Sequence, residues 1–465
     1  MLTENILTIW PKGLRENSMD RKIFRAYDVR GTYPDQMDEK VAYNIALAYC
    51  ELVKPQKVIV GRDLREASAK MYDKVVKALS ERGVEVADAG EMTNPMIGYG
   101  VFNYGFDGGI ILSASHNPIG YGGMKMTKAD AVTVPGDDPQ LIAYSTEGIR
   151  GRKKYGGSRG EVKKLDISDN YVKFVRSMVD VSILKPKKIL FDPLYGSVNL
   201  ILNKVLKDLP VKRVNLHTKP DKLFGGLSEP NPYNFEIRGE AVELTKKEKP
   251  DFAVMWDGDG DRVFFLDENG VFVNAPYITA ALVEAVAAKH PNSSVVCDER
   301  IIWPMERAAQ KTGMRQILSK SGYRFMKETM NQNNSVFGAE TTAHYFFIET
   351  KYMDNGIIPF LMIWELLSKT GKTLSQLVAP YKKDHYMIDE IKFKLKDPSN
   401  AIAVLKQRYI DAKQNEMDGL TVEYPDWRFN FRLSNTEPVA KLNLEAKDEK
   451  LMERKIEEVK KIIEG

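Results

Sequence analysis

Three times along this chain a short, uninterrupted apolar run gives way to a polar loop, an amphipathic stretch and further apolar runs. That rhythm constrains the fold more than any other feature. The first unit opens at Lys57-Val58-Ile59-Val60, passes residues 71–79 and Val84-Glu85-Val86, and closes at Gly109-Ile110-Ile111-Leu112. Met71, Val75, Val76 and Leu79 fall on one face of a helix, and Gly83 stands where such a helix would stop. The second unit opens at Lys188-Ile189-Leu190-Phe191, passes residues 211–216 and closes at Phe252-Ala253-Val254-Met255-Trp256. The third opens at Ser294-Val295-Val296, passes Gln316-Ile317-Leu318 and closes at Ser335-Val336-Phe337. Continuous apolar strands alternating with helices predict parallel sheets covered on both faces. Ligands of such sheets bind beyond the carboxyl ends of the strands. The loops that follow the closing strands, residues 113–118, 257–262 and 338–344, are all rich in chemically capable side chains.

Composition narrows the partners. The 465 residues are 43% hydrophobic and 28% charged, with 68 Lys and Arg against 64 Asp and Glu, a net charge of +4. At roughly 150 residues per domain this length allows about three domains. The charge balance argues for neither nucleic acid nor a membrane surface, although a local basic cleft for a small anion stays open. Two cysteines, Cys50 and Cys297, make no disulfide framework or cysteine metal site. Met1-Leu2-Thr3-Glu4-Asn5 lacks the pattern of a signal peptide. No apolar run approaches the roughly 20 residues of a membrane helix, and residues 357–364 read as core. The expected location is the cytoplasm.

From residue 386 onward the pattern changes. Residues 388–395, 422–424, 428–433 and 440–444 read as strands, and 399–412 and 451–463 as helices, a smaller α+β domain. The glycine- and base-rich residues 151–160 read as a solvated loop.

Asp257-Gly258-Asp259-Gly260-Asp261-Arg262 is the sharpest chemical signal. Carboxylates on alternate residues converge on one cation if the backbone bends, and the two glycines allow the bend. All-oxygen ligands suit Mg²⁺, with positions left for water or phosphate. An EF-hand would also use Asp257, Asp259, Asp261 and Glu268. It needs glycine where Arg262 stands, and the flanks here are strand-like rather than helical. The plain alternative is a solvated acidic turn. Ser113-Ala114-Ser115-His116-Asn117-Pro118 offers an accessible serine beside an imidazole, or an ordinary turn. The tail Tyr121-Gly122-Gly123-Met124-Lys125 adds flexible backbone and a cation. Arg432-Leu433-Ser434-Asn435-Thr436-Glu437-Pro438 gathers a guanidinium, hydroxyls, an amide and backbone N–H groups, a phosphate cradle or a turn between strands. Gly371-Lys372-Thr373 has the tail of a Walker loop, but Leu366 occupies its first glycine. Glu340-Thr341-Thr342-Ala343-His344 offers a carboxylate, hydroxyls and an imidazole for vicinal sugar hydroxyls, or a turn with one satisfied histidine.

These four motifs, in this order and spacing, resemble the α-D-phosphohexomutases. Phe24-Arg25-Ala26-Tyr27-Asp28-Val29-Arg30-Gly31 resembles that family's opening and Gly61-Arg62-Asp63 its next motif, so the resemblance spans nearly the whole chain. Residues 114–125 and Asp354-Asn355-Gly356-Ile357-Ile358-Pro359 look most like the bacterial phosphomannomutase branch.

The resemblance implies an α/β chain of four domains around a central cleft. Three are similar mixed-sheet domains, at residues 1–164, 165–271 and 272–385, and a smaller α+β domain occupies 386–465. It implies phosphoserine at Ser115, with Mg²⁺ on Asp257, Asp259, Asp261 and a Ser115 phosphate oxygen. Arg30, His116, Lys125, Arg262 and His344 would line the reacting end. Tyr27, Glu340, Thr342, Arg432, Ser434, Asn435 and Thr436 would bind substrate. The expected activity interconverts mannose 6-phosphate and mannose 1-phosphate, with a hexose 1,6-bisphosphate as intermediate and activator. The alternatives are a phosphoglucomutase, a dual-specificity or phosphoglucosamine mutase, a phosphatase using the same phosphoserine, and a non-catalytic binding relative. The expected partner is a small hexose phosphate, with no nucleic acid or membrane, and a monomer or homodimer. Two positions depart from the family pattern. The sugar loop usually reads Glu-x-Ser-Gly-His, and Tyr323 stands where histidine is common.

Overall fold

The computed structural model describes residues 19–147, 158–395, 397–433 and 439–464. Four sheets carry the chain. In the first, Gly108–Leu112, Lys57–Arg62, Glu85–Glu91 and Val162–Lys164 run parallel. Tyr121–Lys128 pairs antiparallel with Gly108–Leu112 and carries Val29–Thr32 on its other edge. The second sheet pairs Phe252–Trp256, Lys187–Asp192 and Val211–Asn215 in parallel and adds Val263–Leu266 antiparallel. The third does the same with Phe337–Ala339, Ser294–Asp298 and Arg315–Ser319, and adds Tyr345–Phe347. The expected parallel core is therefore present, and in each unit the closing parallel strand is followed by an antiparallel return. Phe272–Val273 pairs into the second sheet, on the far side of the division expected between residues 271 and 272.

Those returns matter for function. Each chemically rich loop connects a closing parallel strand to its antiparallel neighbour, so the chain folds back across the carboxyl edge of the sheet and holds the loop at both ends. The closing strands Gly108–Leu112, Phe252–Trp256 and Phe337–Ala339 are buried throughout, which explains their unbroken apolar sequence.

Local sequence accounts for the supporting helices. Met71, Val75, Ala78 and Leu79 form the buried face of Glu66–Glu81, and Gly83 takes φ +76° just past its end. Ile357–Thr370 is buried almost all round, and Pro359 is tolerated because it lies in the first turn. Glu449–Glu464 buries Ile456, Val459 and Ile463. The last domain is an antiparallel sheet of Tyr386–Phe393, Ala440–Ala446, Trp427–Leu433, Leu420–Glu423 and Lys413–Asn415. The short, polar Lys413–Asn415 carries no apolar signal and was not expected from the sequence. Among the described residues no helix is long and apolar enough to cross a membrane.

Candidate active site

The serine loop is tightly braced. Ser113 Oγ accepts the Ser115 N–H at 2.9 Å and donates to Asp259 Oδ2 at 2.7 Å. Ser115 takes φ +50°, a costly conformation for a residue other than glycine. Arg65, 1% exposed, donates to the carbonyls of Ser115, Asn117 and Pro118 at 2.7, 2.5 and 2.7 Å, and Asp63 backs it at 3.3 Å. Arg30 pairs with Asp28 at 2.6 Å and donates to the Ala114 carbonyl at 3.2 Å and Asn117 Oδ1 at 2.7 Å. The Ser115 hydroxyl donates to Asp257 Oδ2 at 2.9 Å and lies 3.3 Å from His116 Nδ1.

The aspartate loop is no solvated turn: Asp257, Asp259 and Asp261 are 0, 0 and 1% exposed. Gly260 turns the chain at φ +75°. At Gly258 a Cβ would lie 2.8 Å from the Ser115 carbonyl oxygen, so only glycine lets the two loops meet. The three carboxylates offer oxygens within 4.8 Å of one another. Lys125 reaches Asp259 and Asp261 at 2.8 and 2.6 Å, and Arg262 Nε donates to Asp257 at 3.0 Å. Burial, then the charge of Asp261, pushes the Asp257 carboxyl up. Burial opposes the Lys125 charge, yet Asp259 and Asp261 hold it well above its ordinary range. Asp259 Oδ1 and Asp261 Oδ1 are buried and lack a hydrogen-bond partner. Crowded anions with unpartnered oxygens fit a hard divalent cation such as Mg²⁺.

The third loop closes on itself. The Glu340 N–H donates to the His344 carbonyl at 2.9 Å and the Ala343 N–H to the Glu340 carbonyl at 3.0 Å, with Ala343 at φ +68°. Glu340 Oε1 accepts the Gly322 N–H at 2.6 Å and faces Arg300 at 3.4 Å, and burial raises its pKa. His344 Nδ1 lies 2.8 Å from Asp354. Burial disfavours its charge, but Asp261 and Asp354 outweigh that and raise its pKa. His116 is the opposite case: burial first, then Arg262 and Arg30, push it well below its ordinary value.

All four domains meet at one cavity of about 260 Å³. The first contributes Tyr27, Arg30, Ser115, His116 and Lys125, and the second Asp261 and Arg262. The third contributes Arg300, Glu340, Thr342 and His344, and the fourth Arg432 and Lys441. Arginines and lysines outnumber the lining carboxylates, so the cleft is basic although the chain as a whole is nearly neutral. Asp257 and Asp259 lie beneath its floor. Arg432 is 6% exposed, with Nε 3.8 Å from Asp418. Ser434, Asn435 and Thr436 lie outside the described residues, as does most of 151–160.

Sequence reasoning passed over Arg65, Asp298 and Arg300 and assigned no role to Ser113 and Asp354. Asp298 ends the strand Ser294–Asp298 and Arg300 follows it, so the rule that singled out the other loops applies to them. Arg300 pairs with Asp298 at 2.7 Å, and Asp298 accepts the Thr341 N–H at 2.6 Å. Arg65 lies just past the Gly61-Arg62-Asp63 motif and gives no periodic signal.

Comparison with known proteins agrees with the four-domain fold. Phosphoglucomutase/phosphomannomutase alpha/beta/alpha domains I, II and III match residues 21–153, 169–270 and 274–383, and the C-terminal domain matches 390–462. The chain is 34% identical to a phosphomannomutase of Escherichia coli over 450 residues, covering 94% of this chain and 98% of that one. A phosphoglucomutase/phosphomannomutase family protein from Burkholderia thailandensis superposes with a TM-score of 0.86 at 24% identity, covering 96% of this chain and 97% of that one. An N-acetylphosphoglucosamine mutase of Aspergillus fumigatus, solved with GlcNAc-6P and magnesium, gives a TM-score of 0.60 at 14% identity, covering 96% of each chain.

Proposed function

The chain belongs to the phosphoglucomutase/phosphomannomutase family and is a phosphohexomutase, and we propose that it interconverts mannose 6-phosphate and mannose 1-phosphate with Ser115 as phosphoryl carrier. The observation that carries this reading is the meeting of Ser115 Oγ with Asp257 at 2.9 Å on the floor of a basic cavity to which all four domains contribute. The name of the Escherichia coli relative supports mannose as the sugar.

In the proposed cycle Ser115, carried as its phosphate ester, gives its phosphoryl group to the free hydroxyl of the bound sugar phosphate. The O–P bond to Ser115 breaks, a new one forms to the sugar, and the hydroxyl proton passes to a neighbouring base. The bisphosphorylated sugar turns over and returns its other phosphoryl group to Ser115. Such transfers need positioning and charge neutralisation rather than elaborate covalent chemistry. Asp257, Asp259, Asp261 and a Ser115 phosphate oxygen would hold Mg²⁺, which when bound neutralises charge on the transferring group. Arg262 and Arg30 face the same point. Burial, Arg262 and Arg30 lower the pKa of His116, and Asp261 and Asp354 raise that of His344 against burial, so the two suit the roles of proton acceptor and donor respectively. Glu340 and Thr342 would take sugar hydroxyls. Arg432, with Ser434, Asn435 and Thr436, would hold the phosphate that is not reacting.

The test follows mannose 1-phosphate and glucose 1-phosphate in parallel by phosphorus NMR, with Mg²⁺ and a trace of hexose 1,6-bisphosphate. Conversion to the 6-phosphate, faster for mannose, is the expected result. A faster glucose reaction reassigns the sugar. Release of inorganic phosphate in place of an isomer, or no reaction, contradicts the mutase cycle.

A further inference from the structure

Tyr323, where the family commonly has histidine, does not stand as a free ligand in the cleft. Its hydroxyl donates to the Tyr27 carbonyl at 2.5 Å, and the Tyr27 hydroxyl donates back to the Ser321 carbonyl at 3.0 Å. The two rings lie 5.4 Å apart and tilted. Gly322, between the two partners, takes φ +119°, and a Cβ there would fall 2.2 Å from the Tyr27 hydroxyl oxygen. The missing side chain is what lets the Tyr27 ring seat. Both tyrosines line the cavity.

Ser321, Gly322 and Tyr323 each reach a different part of the cleft. Ser321 donates through N–H and hydroxyl to Asp418 of the last domain, at 3.0 and 2.6 Å. Gly322 donates to Glu340 at 2.6 Å. Tyr323 reaches Tyr27 in the first domain. Beyond Tyr27 the connection continues to the serine: Asp28 holds Arg30 at 2.6 Å, and Arg30 holds the Ala114 carbonyl and Asn117 of the serine loop.

We propose that Tyr323 is a positioning residue: with Tyr27 it forms a two-way clasp that fixes the serine loop against the sugar loop while the bisphosphorylated sugar turns over between them. Two hydrogen bonds to backbone carbonyls set distance and direction, which ring packing alone does not. With the clasp open, the serine loop and the sugar loop are held less closely to one another and the intermediate escapes before its second transfer. This inference rests on the mutase cycle proposed above.

The test is Tyr323→Phe, which keeps the ring and removes the hydroxyl, assayed across a titration of glucose 1,6-bisphosphate. An enzyme that loses its intermediate needs more of it in solution to stay phosphorylated. The expected result is an increase of about five- to tenfold in the bisphosphate concentration for half-maximal rate, in line with one lost hydrogen bond, and a smaller change in the saturated rate. Tyr27→Phe opens the clasp from the other side and reads the same shift should Tyr323→Phe fail to fold. The double variant is expected to be no worse than the worse single, because either loss opens the clasp. An unchanged half-saturation, or a fall in rate equal at every bisphosphate concentration, overturns the clasp. A wild-type enzyme that interconverts no sugar phosphates overturns the mutase cycle instead, so the two failures are separable.

Discussion

The floor of the cleft and its far wall are held by different forces. Beneath the floor one apolar core runs unbroken through the first three domains: Ile59, Ile189, Val254, Val295 and Phe360 belong to a single buried cluster. Trp256 of the second domain bonds the Gly356 carbonyl of the third at 2.8 Å. The last domain closes on its own core around Phe429, Leu442 and Val459 and meets the third at a buried cluster of charged and polar groups. There Arg428 pairs with Glu445 at 2.7 Å, both 0% exposed, and His385 lies 2.8 Å from Glu445. Arg428 also donates to the Glu299 and Arg300 carbonyls at 2.8 and 3.0 Å. Close-packed apolar contact resists small displacements. An ionic joint has a few discrete partners and can exchange them. The difference teaches that, on the proposed cycle, the residues assigned to the reacting end sit on the apolar-packed part, while Arg432, proposed to grip the distant phosphate, sits beyond the polar joint.

Substitutions on the two sides should therefore behave differently. Ser115→Ala removes the proposed phosphoryl carrier and is expected to lower kcat by three or more orders of magnitude while leaving the sugar phosphate KM within a few-fold. Steady-state kinetics decides this, and near-normal turnover removes the serine from the mechanism. Arg428→Ala takes the guanidinium from buried Glu445 and leaves it His385 and backbone N–H groups, with an expected loss of about 3–5 kcal/mol. Calorimetry should show the last domain melting earlier than the rest. A single transition at an unchanged midpoint would mean the ionic joint is not what holds that domain. Arg432→Ala removes the proposed charge-assisted contact to phosphate. It is expected to raise KM by about 10- to 100-fold with kcat nearly kept, and an equal fall in kcat would place Arg432 among the reacting groups.

The sequence disclosed the buried strands better than the contacts between loops. Buried closing strands announce themselves as apolar runs, and the glycines of the aspartate loop stand where backbone meets backbone. The contacts that hold the serine loop, from Arg65, Ser113 and Arg30, join residues distant in the chain and leave no periodic trace. Tyr323 reads as a departure from a motif, and only the fold reveals its partner. Ala343 shows the same limit. A glycine is common there, and the structure supplies the reason, since φ is +68°. Ala343→Gly is accordingly the smallest effect expected, a stabilisation of roughly 0.5–1 kcal/mol from relieved strain, read from the denaturation midpoint.

The most direct measurement is the phosphorylation state of the protein itself. The purified enzyme, charged with a hexose 1,6-bisphosphate and Mg²⁺, is analysed by intact-mass and peptide mass spectrometry before and after mannose 6-phosphate is added. The account predicts one phosphoryl group, on Ser115, discharged by the sugar phosphate and absent from Ser115→Ala. A phosphoryl group carried on another residue, or full turnover by an enzyme that never carries one, would contradict it.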